Sequence, residues 1–104
     1  MTTTDVSRPL PQLRSLSDIR DDLAQIESKR RRQLDKLPDD KLDAVAVAHR
    51  AAVVRIIEEV SIAQQRLEAG LYGTCTGCGE AIDPERLDFR PWATMCTGCS
   101  RRLA

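Results

Sequence analysis

Two apolar stripes, one on each side of Pro38, constrain the fold of this 104-residue chain more than any other feature of its sequence. Spacings of three and four residues, which place side chains on one helix face, link the members of each stripe. The first stripe comprises Leu16, Ile19, Leu23, Ile26, Leu34 and Leu37, with Arg30 at the position between Ile26 and Leu34. The second comprises Leu42, Ala46, His49, Val53, Ile56, Val60, Ala63 and Leu67. The pattern predicts two amphipathic helices separated by Pro38, which disfavours helical geometry in the residue before it.

The outer ends of these helices carry their own signals. Ser15 followed by Asp18 predicts the start of the first helix, because a serine and an acid at this spacing can satisfy free backbone N–H groups. Gly70 predicts the end of the second, because glycine adopts the left-handed conformation that closes many helices. We expect the second helix to occupy residues 41–70.

The two stripes predict a common register. If the chain folds back at residues 38–40, facing residues have numbers with a constant sum, and several apolar pairs add up to 79. These pairs are Leu37 with Leu42, Ile26 with Val53, Leu23 with Ile56, Ile19 with Val60 and Leu16 with Ala63. The sequence therefore predicts an antiparallel coiled-coil hairpin in which Leu37 and Leu42 are the last packed pair.

Two polar features interrupt this seam. The same register places Arg30 opposite His49, either as a register-fixing, pH-sensitive pair or as two long side chains that reach past alanines to water, and we favour the second interpretation. The run KRRR at residues 29–32 could bind phosphate, but a solvated helix face is the better interpretation.

Charge and composition narrow the classes of partner. Lysine plus arginine and aspartate plus glutamate both number 16, so the formal net charge is zero. A protein held to nucleic acid by bulk electrostatics normally has a basic excess, so a protein partner fits better. The sequence shows neither a signal peptide nor an apolar run long enough to span a bilayer, which predicts a cytoplasmic protein with no membrane contact. Because the coil is predicted to fold back on itself, we expect a monomer.

The cysteines form one compact motif near the C-terminus. They are Cys75, Cys78, Cys96 and Cys99, two CxxC turns separated by 17 residues. This spacing is typical of sites that hold one Zn²⁺ in a tetrahedron of four thiolates, and such closed sites are structural. Because the thiolates leave the site negative, we expect Arg90, Arg101 and Arg102 as nearby counter-charges. A redox-sensing role for the same cluster stays open.

The segment between the cysteine pairs predicts a short helix and a small core. Asp83 followed by Pro84 is a favourable helix opening. We expect the core around the metal to contain Tyr72, Ile82, Leu87, Phe89 and Trp92.

The predicted architecture is mostly α-helical and has three parts. Residues 1–14 are expected to be a flexible segment, residues 15–70 the coiled-coil hairpin with an acidic tip at 38–45, and residues 71–104 the zinc-finger module. With one histidine, no open metal position and no nucleophile beside a base, we expect no enzymatic activity.

The stretch GLYGTCTGCGEAIDPERLDFRPWATMCTGC, residues 70–99, resembles the DksA/TraR C4-type zinc-finger family of bacterial transcription factors. The resemblance implies a regulator that binds RNA polymerase rather than a specific DNA sequence. Its coiled coil would enter the secondary channel, place the acidic tip near the active site and modulate transcription initiation. The alternative from the residues is a zinc-ribbon DNA-binding module with a coiled-coil dimerisation arm.

The resemblance also assigns roles to residues of the tip. The family motif Asp-x-x-Asp-x-Ala corresponds to Asp40, Asp43 and Val45, with a valine at the alanine position and Ala44 before it. We expect one acid, Asp39 or Asp40, to cap the second helix and the others to exceed what the structure needs.

The family's alarmone ligand, ppGpp, is only partly supported. Arg90 matches one family contact, but the other two basic positions fall on Glu59 and Ser100. An acid at the centre of a site for a highly charged anion argues against ppGpp binding.

Overall fold

Four helices make up the regular structure of residues 15–103, the part of the chain that the computed structural model describes. They are α1 (Leu16–Lys36), α2 (Ala44–Glu68), α3 (Pro84–Phe89) and α4 (Thr97–Leu103). α1 and α2 pack along each other as an antiparallel hairpin, and the molecule measures 58 × 28 × 28 Å. The mostly α-helical fold is confirmed, whereas the expected flexible segment 1–14 lies outside the described residues. None of the described helices is long and apolar enough to cross a bilayer.

The outer ends of the hairpin follow the sequence signals. Ser15 caps α1, since its Oγ accepts a hydrogen bond of 3.0 Å from the backbone N–H of Asp18. Gly70 follows α2 with φ +77°. Gly70 lies in a closed turn. The N–H of Leu71 donates to the carbonyl of Arg66 at 2.8 Å, and the N–H of Gly70 donates to the carbonyl of Leu67 at 3.2 Å. This pairing satisfies carbonyls that a helix end leaves free.

The inner end of α2 differs from the prediction. The helix begins at Ala44, and its cap is Asp43, whose Oδ1 accepts hydrogen bonds from the N–H groups of Val45 at 3.0 Å and Ala46 at 3.4 Å. Neither Asp39 nor Asp40 caps α2. Leu42 precedes the helix and is 98% exposed, so the expected packed pair of Leu37 and Leu42 is wrong. The connection between the helices therefore occupies residues 37–43.

The register of the hairpin also differs from the prediction. Three polar contacts join α1 to α2: Arg20 to Glu68 at 2.8 Å, Gln64 to Glu27 at 3.2 Å, and Gln33 to His49 at 3.4 Å. Their residue numbers add up to 88, 91 and 82, all larger than the expected 79. The contacts fit a sum near 86, which is a displacement of one heptad.

The apolar core fits the displaced register. Its buried members are Ile19, Leu23, Val60, Ala63 and Leu67, with Ile26 and Ile56 half-buried beside them. A sum of 86 places Ile19 opposite Leu67, Leu23 opposite Ala63 and Ile26 opposite Val60. Val53, which was expected opposite Ile26, is buried but is not a member of this cluster. Leu16, at the open end of the seam, is 58% exposed rather than packed.

The polar layer of the seam contains an additional residue, Gln33. Its Oε1 accepts a hydrogen bond from Arg30 Nη1 at 2.9 Å, and its Nε2 lies 3.4 Å from His49 Nε2. Arg30 and His49 are therefore bridged rather than paired directly. The imidazole remains solvent-exposed, as expected for a side chain at the margin of the seam.

Aromatic side chains attach the C-terminal module to the hairpin. Tyr72 and Trp92 pack against the hairpin core, and the Tyr72 hydroxyl donates to the carbonyl of Pro91 at 2.8 Å. They were expected in the core around the metal, which contains Ile82 and Leu87 as predicted. Phe89 was also expected there but is 84% exposed, because it lies at the last position of the short α3.

Candidate metal centre

The four cysteine sulfurs converge on one point. The Sγ atoms of Cys75, Cys78, Cys96 and Cys99 all lie within 4.8 Å of one another, and those of Cys78 and Cys96 are 3.9 Å apart. A tetrahedron with Zn–S bonds of about 2.3 Å has edges of about 3.8 Å, so this spacing suits one Zn²⁺. All four cysteines are free thiols rather than disulfides. The predicted ligand set is therefore brought together.

The first pair of ligands belongs to a tight turn. The N–H of Gly77 donates to Cys75 Sγ at 3.2 Å, and the N–H of Gly79 donates to the Cys75 carbonyl at 3.0 Å. Gly79 has φ +78°, a left-handed conformation that glycine adopts without steric cost. An isolated antiparallel bridge between Thr74 and Ala81 closes the turn. The chain thus directs both thiols and one backbone N–H toward the metal position.

The second pair of ligands lies at the start of α4. Cys96 precedes the helix and Cys99 lies in its first turn, where the Cys99 N–H points to Cys96 Sγ at 3.4 Å. The two pairs are joined by the N–H of Thr76, which donates to the carbonyl of the buried Thr94 at 2.8 Å. Backbone N–H donors on both sides lower the negative charge that zinc-bound sulfur carries.

The glycines of the two CTGC turns are not equivalent. A Cβ added at Gly77 would lie 3.0 Å from Cys99 Sγ and 3.2 Å from Cys99 Cβ. A Cβ added at Gly98 would meet no heavy atom within 4 Å. A side chain at Gly77 would therefore crowd Cys99 of the other ligand pair, whereas a side chain at Gly98 would not.

In the metal-free protein the thiols of Cys75 and Cys78 differ strongly in pKa. Hydrogen bonds from backbone amides, first that of Cys96, lower the pKa of Cys75 to about 6. At Cys78 the backbone amide of Glu80 lowers the pKa, but the neighbouring Cys75 sulfur and burial outweigh it and raise the pKa to about 11. Four adjacent thiolates repel one another, so a divalent cation is needed to hold them all deprotonated.

One arginine contacts the cluster directly. Arg102 Nη2 donates to Cys99 Sγ at 3.2 Å, and this hydrogen bond raises the pKa of the guanidinium. Within residues 15–103, the exposed side chains of Arg90 and Arg101 make no hydrogen bond to sulfur. Arg90 instead lies in a surface groove with Phe89 and Trp92.

Sequence reasoning missed two residues that support the centre. Met95 packs beside the ligands together with Leu87. Arg86 Nε donates to the Met95 carbonyl at 3.0 Å and so ties α3 to the segment that carries Cys96. The sequence offers no signal that separates Arg86 from neighbouring charged residues of the module such as Glu85 and Asp88.

The tip residues lie at the opposite end of the hairpin, beyond the length of α2, which is about 37 Å at 1.5 Å per residue. Asp40, Asp43, Ala44 and Val45 are all exposed, and Val45 is 78% exposed. Asp40 Oδ1 accepts a hydrogen bond of 3.0 Å from the N–H of Leu42. Together with the cap at Asp43, this bond shows that both motif acids hold backbone groups, contrary to the expectation of acids in structural excess.

Comparison with known proteins agrees with this geometry. Residues 70–103 match the model of a protein family described as "Prokaryotic dksA/traR C4-type zinc finger". This segment is therefore similar to the zinc fingers of that family. The matched segment includes all four cysteines of the cluster, Tyr72 and Arg102, and it begins at Gly70, just after the end of α2.

Solved structures resemble the whole described architecture. One is the RNA polymerase binding protein and transcriptional regulator Dks from Chlamydia trachomatis, at 19% identity and a TM-score of 0.65, covering 98% of this chain and 92% of that one. Another is the transcription factor DksA2 from Pseudomonas aeruginosa, at 25% identity and a TM-score of 0.54, covering 93% and 91%. The first similarity supports the fold alone.

A curated relative matches a shorter segment. An uncharacterized protein of Aquifex aeolicus (strain VF5) is 34% identical over 50 residues, which is 48% of this chain. The match spans about a third of that protein's length, 34%.

Proposed function

We propose that this chain is a bacterial transcription regulator that binds RNA polymerase. It enters the secondary channel with the hairpin and places residues 38–45, the tip, near the active site. The observation that carries the proposal is the combination of a dksA/traR finger with a hairpin of the DksA fold. The two solved relatives are themselves described as a polymerase-binding regulator and a transcription factor.

The shape of the molecule supports insertion into a channel. The hairpin is two helices wide and, with α2 about 37 Å long, forms most of the 58 Å length of the molecule. In the proposal residues 15–70 are the inserting arm and residues 71–104 the base that limits its depth. Arg66 stiffens the junction, since its Nη2 donates to the Thr74 carbonyl at 3.1 Å.

In this proposal the carboxylates at the tip are the groups that act on the polymerase active site. Asp40 and Asp43 each use Oδ1 for a backbone N–H. These bonds fix the orientation of each carboxylate, so that the second oxygen can act on a metal ion or a basic loop of the polymerase. Val45 adds an apolar surface beside the acids.

Asparagine substitutions separate this function from stability. Asparagine caps helices about as well as aspartate, so Asp40→Asn with Asp43→Asn removes charge while keeping the turn. We expect the variant to bind core polymerase but to lose its effect on initiation in a purified transcription assay. Asp39→Asn is the matched control, from the same loop, and should keep the effect. Equal activity of both variants would refute the tip assignment, and failure of the wild type to bind polymerase would refute the whole function.

The channel itself needs a positional test. A photo-crosslinking amino acid at Val45 should label the subunits that line the secondary channel near the active site. The same group at Ile62, which is 43% exposed on α2 far from the tip, should label a different surface. Labelling confined to the outer surface of polymerase from both positions would exclude insertion.

Other properties belong to the same proposal. The protein acts as a cytoplasmic monomer, without sequence-specific DNA contacts and without catalysis, since four thiolates fill a tetrahedral zinc and leave no position for water. ppGpp is not required, because Glu59 replaces a basic contact and Arg90 alone remains. Transcription assays with and without ppGpp test this point, and a strict requirement for ppGpp would refute it.

A further inference from the structure

The zero net charge of the chain conceals a strong separation of charge along the hairpin. Residues 29–36 and 46–57, here named the collar, face each other in the observed register just behind the tip. The collar contains seven cations and one acid, a net charge of +6. The cations are Lys29, Arg30, Arg31, Arg32, Lys36, Arg50 and Arg55, and the acid is Asp35.

The segments on both sides of the collar are acidic. Residues 37–45 carry three aspartates and one lysine, a net −2. The basal half of the hairpin, residues 15–28 and 58–70, carries seven acids and two arginines, a net −5. The rod therefore has a basic band between two acidic ones, which the whole-chain charge does not reveal.

The charges of the collar are largely uncompensated within the protein. Among the described residues, Arg31 is the one collar cation with a salt bridge, to Glu27 at 3.0 Å. Arg30 and Arg32 donate to neutral groups, Gln33 Oε1 and Ser28 Oγ. The remaining positive charge is directed to solvent or to a partner.

Part of the collar forms one continuous stripe. Lys29, Arg32 and Lys36 are spaced three and four residues apart, which places them on one face of α1. All three are exposed, and they line a shallow surface groove together with Gln33 and Leu37. A partner can therefore contact three cations at once along about 10 Å of helix.

The lengths of the charged bands indicate that the partner of the collar is a compact acidic protein surface rather than a nucleic acid. A nucleic-acid strand that followed the rod beyond the collar would meet the acids of the tip or of the basal half. Both would repel phosphate, whereas an acidic patch on a protein can end where the collar ends. Charge complementarity of this local kind mainly sets the rate and register of docking.

We propose that the collar docks on an acidic protein surface, and that this surface is on RNA polymerase. The proposal rests on the proposed function and deepens it. Docking of the collar fixes the register of the inserted hairpin, and it places the acidic tip beyond the acidic surface that binds the collar. Like charges would otherwise keep the tip away from that surface.

The test is a triple variant, Lys29→Gln, Arg32→Gln and Lys36→Gln, titrated against core RNA polymerase. Glutamine keeps helix propensity close to that of lysine and arginine. We expect the Kd to rise about tenfold at about 0.05 M salt and the difference to shrink to about twofold at about 0.5 M, where exposed charges are screened. The matched control is Lys29→Arg, Arg32→Lys and Lys36→Arg, which keeps the charge and should keep the wild-type Kd.

The outcomes separate the two proposals. If the wild type binds polymerase and the glutamine variant binds equally well at low salt, the collar proposal is wrong and the proposed function stands. If the wild type does not bind polymerase, both are wrong. A labelled single-stranded RNA of about 20 nucleotides is titrated in parallel. Collar-dependent RNA binding, with collar-independent polymerase binding, would replace the acidic protein surface with nucleic acid.

Discussion

Substitution of Gly77 by alanine tests the metal centre most directly. The added Cβ would lie 3.0 Å from Cys99 Sγ and 3.2 Å from Cys99 Cβ. Ordinary carbon contacts lie at about 3.5–4.0 Å, so one or both groups must move by several tenths of an ångström. Gly77 does not have a positive φ, so backbone strain does not contribute to the effect.

The magnitude follows from what can move. Cys99 Sγ is fixed by the metal and its backbone by α4, so the contact cannot relax while zinc is bound. Overpacking in a close-packed site costs about 1–3 kcal/mol. Because the metal-free turn can relax, this cost falls on the zinc-bound state, and we expect zinc affinity to fall about 5- to 150-fold.

Gly98→Ala is the matched control. It makes the same change at the same place in the other CTGC turn, but its Cβ meets nothing within 4 Å. Gly98 lies inside α4, where alanine is more stable than glycine by about 0.5–1 kcal/mol. We expect this variant to bind zinc as tightly as the wild type or more tightly.

Competition with a chromophoric chelator measures the zinc affinity of both variants, and thermal unfolding in saturating zinc measures their stability. From tightest to weakest zinc binding, the expected order is Gly98→Ala, wild type and Gly77→Ala. Equal affinities for the two alanine variants would refute the claim that a side chain at Gly77 crowds Cys99. A loss confined to Gly98→Ala would refute the placement of the second pair in α4.

Further predictions concern the metal, the register and the tip. Zinc removal should red-shift the emission of Trp92, the single tryptophan, and lower the unfolding temperature, because Trp92 joins the finger to the hairpin core. Apparent zinc affinity should fall as pH drops below about 6, where Cys75 becomes protonated and zinc must displace a further proton. In NMR titrations Arg20→Ala should raise the pKa of Glu68, which the Arg20 hydrogen bond lowers. An unchanged Glu68 pKa would instead favour the register with a sum of 79, which places Glu59 rather than Glu68 opposite Arg20. Asp43→Ala should destabilise α2 by about 0.5–2 kcal/mol in denaturant unfolding, and Asp43→Asn should not, a contrast that disappears if Asp43 is not the cap.

The ligands of the finger could be predicted from the sequence because its spacing depends on local chemistry. Two CxxC turns and the glycine after Cys78 determine the ligand set with few alternatives. The positions of Tyr72 and Trp92 could not be predicted in the same way. Their apolar character indicates burial, but it does not say whether the finger or the hairpin supplies the contact.

The register of the hairpin shows a different limit. A heptad stripe looks the same after a displacement of seven residues, so sums of 79 and 86 satisfy the apolar pattern almost equally well. The turn between the helices distinguishes the two registers. There Asp43 caps α2, and Leu42 is left exposed. Each stripe was therefore predictable, but their alignment depended on one cap.

The same cap changes how the tip should be understood. The sequence predicts that one acid caps the helix and that the others are free for function. In the structure, however, Asp40 and Asp43 each accept a backbone hydrogen bond with Oδ1. Structure and function therefore use different atoms of one carboxylate rather than different residues. An alanine scan of the tip would remove the turn and the charge together. Its result would not distinguish a collapsed tip from an inactive one, and for this reason the asparagine series is the informative experiment.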